Sequence, residues 1–208
     1  MKTCSGGNRM RVEDIASHPD FAPLSSVPGI AVDLRYASAN NFAQRNLYGQ
    51  LNCAYLHRDA AQALAASAAW LAQHAPRHRL LVLDALRPHR VQVQLWNVLT
   101  DPNLRMYLAD PARGSIHSFG MAVDVTLLDA QGNELDMGTG FDDLTELSHP
   151  AREAAHLAQG RISAQQIANR QLLRDAMHAG GFAGINSEWW HFDCGDRVRV
   201  RSSYVRVE

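Results

Sequence analysis

Lysine is almost missing from this sequence. Lys2 is the single one among 20 basic residues, so positive charge is carried by arginine. Acidic residues number 21 and the formal net charge is −1, which removes any electrostatic case for a nucleic-acid partner. Long apolar runs are also lacking. Leu80-Leu81-Val82-Leu83 stops at Asp84, far short of the ~18 to 20 apolar residues of a membrane span, so no membrane partner is expected. Cysteine is scarce: Cys4, Cys53 and Cys194 cannot all pair within the chain and lack the close spacing of a zinc knuckle or a CxxC redox site. A reducing compartment is the simplest reading. Residues 1–9 contain no apolar stretch, so no signal peptide is visible. The cytoplasm is the expected location, or the periplasm if a leader has been removed. Neither GxGxxG nor GxxxxGK[ST] occurs, which leaves nucleotide binding without support. Repeats and low-complexity linkers are absent too.

What is present describes one globular domain. The 208 residues are 46% hydrophobic and 20% charged, and a chain of this length buries roughly 70% of its unfolded surface without staples. Residues 1–28 are polar and carry prolines and glycines, and read as an arm with limited structure. The domain proper is expected over 29–208. Residues 29–36 (GIAVDLRY) read as a strand, 40–52 as loop, and 59–75 as a helix rich in alanine and leucine that stops before Pro76. Residues 80–86 read as a strand buried on both faces, and Pro88 opens a helix toward Leu99. Residues 121–128 form a third strand, with 134–137 as its hairpin partner. Ser163 and Gln166 form a capping box for a helix that ends at Gly180-Gly181, and 189–193 read as a short aromatic strand. Hairpins alternate with helical crossovers, which points to an α+β fold with a central, mainly antiparallel sheet flanked by helices.

Two segments carry candidate chemistry. In the first, alternation along a strand sends Met121, Val123, Val125 and Leu127 into a core, and Ala122, Asp124 and Thr126 to the other side. A carboxylate there is costly unless it pairs with a base or binds a metal. His117 lies just upstream, and Gly120 between them allows the sharp bend that brings a loop histidine to a strand aspartate. The second segment, Glu188-Trp189-Trp190-His191, adds another histidine and a glutamate. Two imidazoles and one carboxylate make a three-ligand zinc site with an open fourth position, and the glutamate is then free to act on water. In a regular strand Glu188 and His191 face opposite sides, so either Glu188 sits on the entering loop or the strand is bulged. In Asp84-Ala85-Leu86-Arg87-Pro88, an arginine ends a buried strand and is fixed by proline, well placed to stabilise an oxyanion in a cleft.

The pattern Ser115-x-His117-x-x-Gly120-x-Ala122-x-Asp124, followed by Glu188-x-Trp190-His191, resembles the zinc D-alanyl-D-alanine peptidases, which share an α+β fold with hedgehog signalling domains. DLRYASANNF at 33–42, LYG at 47–49, DALRP at 84–88, MGTGFDDLTELSH at 137–149 and GFAGINSEWWHF at 181–192 look like the D-Ala-D-Ala dipeptidase branch, which includes the vancomycin-resistance dipeptidases. The resemblance covers roughly residues 29–193. It implies that His117, Asp124 and His191 bind one zinc ion and that Glu188 is general base and then general acid. It also implies that Arg87 stabilises the transition state, that Ser115 and Asp142 lie near the substrate amine, and that Tyr36 lines the site. The implied substrate is a small dipeptide, with no obligate protein partner. Phe119 and Met121 are bulkier than the resemblance leads one to expect, which bears on pocket shape. The rivals are a zinc D-Ala-D-Ala carboxypeptidase or an L-Ala-D-Glu endopeptidase acting on peptidoglycan stems, and a non-catalytic zinc-binding module. A serine or cysteine hydrolase has little support, because no GxSxG elbow or cysteine nucleophile signature occurs.

Overall fold

A computed structural model describes residues 9–208. Its strands are β1 (Arg9–Met10), β2 (Phe21–Pro23), β3 (Ile30–Val32), β4 (Tyr55–His57), β5 (Arg79–Asp84), β6 (Ala122–Leu128), β7 (Phe182–Gly184), β8 (His191–Cys194) and β9 (Arg206–Val207). The α-helices are α1 (Arg58–His74), α2 (His89–Val98), α3 (Glu153–Ala158), α4 (Ala164–Ala179) and α5 (Arg197–Ser203). Single turns of 3-10 helix fill many of the connections.

The central sheet has the order β3-β5-β6-β8-β7. Only β3 and β5 run parallel; the other neighbours are antiparallel, as the α+β reading required. One face, carrying Leu80, Val82, Val123, Val125 and Leu127, joins Leu64, Leu71, Leu173 and Met177 of α1 and α4 in the main core. Helix α1 is built from alanine and leucine, and Ala60, Leu64, Ala68 and Leu71 recur at helical spacing along its buried side. Helix α4 starts at the reciprocal capping box of Ser163 and Gln166 that the sequence announces. Its end packs so tightly on α1 that a Cβ at Gly180 would lie 2.3 Å from the Ala63 carbonyl oxygen, so any side chain there displaces backbone.

The opposite face of β6 is also buried, but with polar groups. Cross-strand neighbours share a face, and Asp124 lies opposite His191 on β8. On its other flank a register shift between Val82 and Asp84 places Asp84 opposite Asp124. A bulge inserts one residue and re-aims the side chain beyond it. Without it, Asp84 would point into the apolar core. The sheet thus presents Asp84, Asp124 and His191 in a row across three adjacent strands.

Some expectations need correction. Residues 9–28 are not a loose arm: β1 pairs with β9, β2 pairs with β4, and Val12, Ile15, Phe21, Leu24 and Val27 are buried. The rest of that arm, residues 1–8, lies outside the described residues, as does Cys4. The strand expected over 29–36 is only Ile30–Val32, because Arg35–Ala37 turns into a 3-10 helix. The hairpin return over 134–137 is reduced to one bridge, Leu128 with Glu134. The strand expected from Trp189 starts at His191.

Candidate metal centre and active site

His117 sits on the 3-10 turn Ile116–Phe119, all of whose residues are buried. The turn closes at Gly120, whose φ of +65° is the left-handed conformation glycine adopts without penalty. A Cβ there would meet the His57 backbone nitrogen at 2.7 Å, so glycine is required by space as well. This bend swings His117 over the start of β6. His117 Nε2 then lies 3.4 Å from Asp124 Oδ1 and 3.2 Å from His191 Nδ1, and His191 Nδ1 lies 3.0 Å from Asp124 Oδ1. Ligand bonds of ~2.0–2.1 Å around a tetrahedral ion place donor atoms about 3.3–3.4 Å apart. The triangle therefore fits a small divalent cation, and the three residues form a cluster able to hold one.

The remaining atoms of these side chains are already committed. His117 Nδ1 donates to the Ala85 carbonyl oxygen at 2.8 Å, which leaves Nε2 as the free lone pair. His191 Nε2 donates to Asp193 Oδ1 at 3.0 Å, which leaves Nδ1 facing the triangle. Asp193 is in turn held by Arg197. Asp124 Oδ2 accepts from Arg87 Nη2 at 3.3 Å. Burial works against charge on Asp124 and His191, but attraction from their neighbours prevails. His117 and His191 hold Asp124 well below the usual carboxylate range, and Asp193 and Asp124 raise His191 well above the ordinary imidazole value.

Arg87 is buried and fixed on several sides. Nε donates to Asp84 Oδ2 at 2.9 Å, Nη1 donates to Gln92 Oε1 at 3.1 Å, and the guanidinium stacks 4.8 Å over the Tyr36 ring. Asp84 is fully buried and also accepts from the Tyr48 hydroxyl. The carboxylate supports an arginine that is pre-aimed into the cleft.

Glu188 lies on the bent connection between β7 and β8, not on the strand. That resolves the parity conflict with His191 in favour of the entering loop. The connection is anchored by its neighbours. Trp189 and Trp190 are buried, Trp189 Nε1 donates to Thr139 Oγ1 at 2.8 Å, and the Trp190 ring meets Phe141 edge-on at 5.6 Å. Glu188 itself has no hydrogen-bond or ion-pair partner among the described residues. Burial raises its carboxyl to about 7, against the pull of His191. Asp142 stands in the left-handed region at φ +60°, strained for a residue with a Cβ but tolerated best by Asn and Asp. Its Oδ1 accepts from the Tyr36 hydroxyl at 3.0 Å and its Oδ2 from the Phe42 amide at 3.3 Å. Burial pushes this carboxyl up to about 8.

All eight residues singled out in the sequence line one cavity of about 220 Å³: Tyr36, Arg87, Ser115, His117, Asp124, Asp142, Glu188 and His191. Contacts run in order from Asp142 through Tyr36, Arg87 and Asp124 to His191, Asp193 and Arg197, with the metal triangle in the middle. One wall is the segment around Met106 to Ala109, and another holds Asp142 and Leu144. The Tyr107 hydroxyl meets His149 Nε2 at 2.7 Å and ties these two walls together. His149 and His156 are both buried. Sequence reasoning missed Asp193 and the arginines Arg113, Arg197 and Arg201 that line the cavity. Asp193 was findable, since it lies two residues beyond His191 on the same face of a strand.

Comparison with known proteins gives the family. The family model described as D-ala-D-ala dipeptidase matches residues 20–208. A protein of Escherichia coli named D-alanyl-D-alanine dipeptidase is 43% identical over 166 residues, spanning 80% of this chain and 79% of its own length. One of the same name from Enterococcus faecium is 31% identical over 195 residues, spanning 86% and 92%. Another from Streptomyces coelicolor is 33% identical over 190 residues, spanning 83% and 90%. No helix among the described residues is long and apolar enough to cross a membrane. The chain belongs to the D-ala-D-ala dipeptidase family of peptidases.

Proposed function

We propose that this protein hydrolyses the dipeptide D-Ala-D-Ala to two D-alanines with one zinc ion per chain, held by His117 Nε2, Asp124 Oδ1 and His191 Nδ1. The observation that carries this reading is the meeting, in one small cavity, of a partnered donor triangle and the carboxylate of Glu188, which has no partner among the described residues. A zinc ion in such a three-ligand site supplies Lewis acidity to water and to the scissile carbonyl.

The protein's own groups do the rest. Glu188 takes a proton from the attacking water and passes it to the leaving nitrogen. Burial raises the Glu188 carboxyl to about 7, and a dication held by the triangle would lower that value and keep it a base at neutral pH. Arg87 brings a permanent positive charge to the developing oxyanion, a contribution on the order of 10²- to 10³-fold for a single donor. Asp142, with Tyr36 and the Phe42 amide fixing its oxygens, accepts the substrate ammonium. A cavity of about 220 Å³ with walls tied by Tyr107 and His149 suits a short substrate, since pockets for drug-sized ligands run ~300–1,000 Å³. Cys53 and Cys194 do not pair with each other among the described residues, which agrees with residence in the cytoplasm.

The test is release of free D-alanine by purified, zinc-loaded protein, with and without chelator. D-Ala-D-lactate and a longer peptide ending in D-Ala-D-Ala run alongside. Chelator-sensitive cleavage of the dipeptide but not the longer peptide is expected. Cleavage of the longer peptide moves the chain to the carboxypeptidase class, and no cleavage at all leaves a zinc-binding module.

A further inference from the structure

The cavity is charged differently at its two ends. Asp142 closes one end of the contact chain described above. At the other, Arg197 holds Asp193, and two more guanidinium groups, Arg113 and Arg201, line the same wall. Among the described residues neither Arg113 nor Arg201 has a carboxylate partner. Arg201 Nε donates to the Gly114 carbonyl oxygen at 3.1 Å, which ties helix α5 to the turn that carries Arg113. Burial, and then the proximity of Arg113 and Arg197, hold Arg201 below the ordinary arginine range. Gathering three cations beside one acid, itself shared with His191, is unfavourable in the empty protein. It becomes favourable when an anion enters.

We infer that Arg113 and Arg201 form the subsite for the free carboxylate at the leaving-group end of the substrate. This deepens the proposed function and rests on it. A zwitterionic dipeptide carries an ammonium at one end and a carboxylate at the other. The cavity offers Asp142 for the first and, beyond the donor triangle along the contact chain that ends at Arg197, two arginines with no carboxylate partner among the described residues for the second. Arginine suits this role because its planar fork binds a carboxylate by two parallel hydrogen bonds. Arg197 is the less suitable partner, since its guanidinium is committed to Asp193, which orients His191. A peptide extended beyond its C-terminal residue would bury these cations without a counter-charge, so the pair selects for a free C-terminus.

The test compares D-Ala-D-Ala with its C-terminal amide in zinc-loaded wild type, Arg113→Ala, Arg201→Gln and the double variant. Arg113 is exposed and has no side-chain partner among the described residues, so its removal is expected to leave the fold intact. Arg201→Lys, which keeps the charge without the fork, guards against a purely structural effect of losing the Gly114 bond. Turnover is followed by steady-state kinetics. Affinity is followed by calorimetry in a Glu188→Gln background, with zinc content checked throughout.

For the dipeptide, a rise in KM and Kd of about 3- to 10-fold in each single variant and ~10- to 100-fold in the double variant is expected, with kcat within about twofold. The amide should bind weakly to wild type and be indifferent to the substitutions. Equal losses for dipeptide and amide, or no loss for either, would overturn the subsite while dipeptide cleavage by wild type leaves the proposed function standing. Failure of wild type to cleave or bind the dipeptide removes both.

Discussion

The floor of the cavity and its walls are built on opposite principles. On the floor, β5, β6 and β8 present Asp84, Asp124 and His191 in one row, and His117 is folded over them by the turn at Gly120. Every polar atom of that row not turned to the triangle already has a protein partner: Ala85, Arg87, Asp193 or Tyr48. The walls are mostly loops, and several of their charges lack an oppositely charged partner among the described residues. Glu188 has no partner among the described residues, and neither does Arg113. Asp142 meets only neutral donors. Groups that must hold a cation in one geometry are fixed beforehand on regular structure. Glu188, which must act on a passing water, is positioned by its backbone but left without a partner among the described residues, whereas Arg87, which faces the developing oxyanion, is fixed like the floor.

This contrast can be broken at several points. The largest effect should come from the floor. His117→Ala or Asp124→Ala removes a donor, and both bound zinc and turnover should be lost. A metal worth several kcal/mol of transition-state stabilisation corresponds to on the order of 10³-fold or more in rate. Metal analysis and D-alanine release on the same samples check it, and a variant that keeps both unchanged is incompatible with the triangle.

Next comes the wall. Glu188→Gln should lower kcat by ~10²- to 10⁴-fold while zinc content stays at wild-type level. Near-normal turnover with zinc bound would remove Glu188 from the chemistry.

A smaller effect sharpens the floor itself. Asp193→Asn keeps the fold of β8 but weakens the anchor on His191 Nε2, and outer partners of this kind are worth about 10- to 100-fold in metal affinity. A competition titration with a chromogenic chelator should show that loss, and saturating zinc should restore most of the turnover. Turnover that stays low at full zinc occupancy would assign Asp193 a different role.

The smallest effect is a proton count at Asp142. Burial raises this carboxyl to about 8, against the pull of Arg87, so a share of it is protonated near neutral pH, a share that a dication in the triangle would reduce. A substrate ammonium favours the carboxylate, and binding should therefore release up to one proton. The release should shrink as pH rises through about 8 and vanish in Asp142→Asn. Calorimetry of the zinc-loaded Glu188→Gln protein in buffers of different ionisation enthalpy reads it directly. Proton uptake, or release unchanged in Asp142→Asn, would place the ammonium elsewhere.

The same contrast explains what could be read from the residues alone. His117, Asp124 and His191 were legible because a strand period puts Asp124 opposite an apolar stripe and Gly120 marks the bend. Helices α1 and α4 were legible from composition and a capping box. The bulge that turns Asp84 toward Asp124 was not, because one inserted residue leaves no mark in a run as uniformly apolar as Leu80 to Leu83. Position 188 was ambiguous for a related reason. Whether Glu188 shares a face with His191 depends on where β8 begins, and that is set by Trp189 and Trp190 packing against Thr139 and Phe141, far away in sequence. Residues 9–28 escaped notice because strands of two or three residues and 3-10 turns are too short to show a period, although Val12, Ile15, Phe21 and Leu24 are buried. Arg113 and Arg201 come from a turn and a helix brought together only by the last part of the chain.

The most direct test is crystallographic. Anomalous scattering at the zinc edge from the metal-loaded protein locates the ion without reference to activity. One ion bound by His117 Nε2, Asp124 Oδ1 and His191 Nδ1, with Glu188 close by but not a ligand, is the predicted result. An ion bound by Glu188 in place of any of the three, or seated outside this cavity, would contradict the division between a fixed floor and free walls.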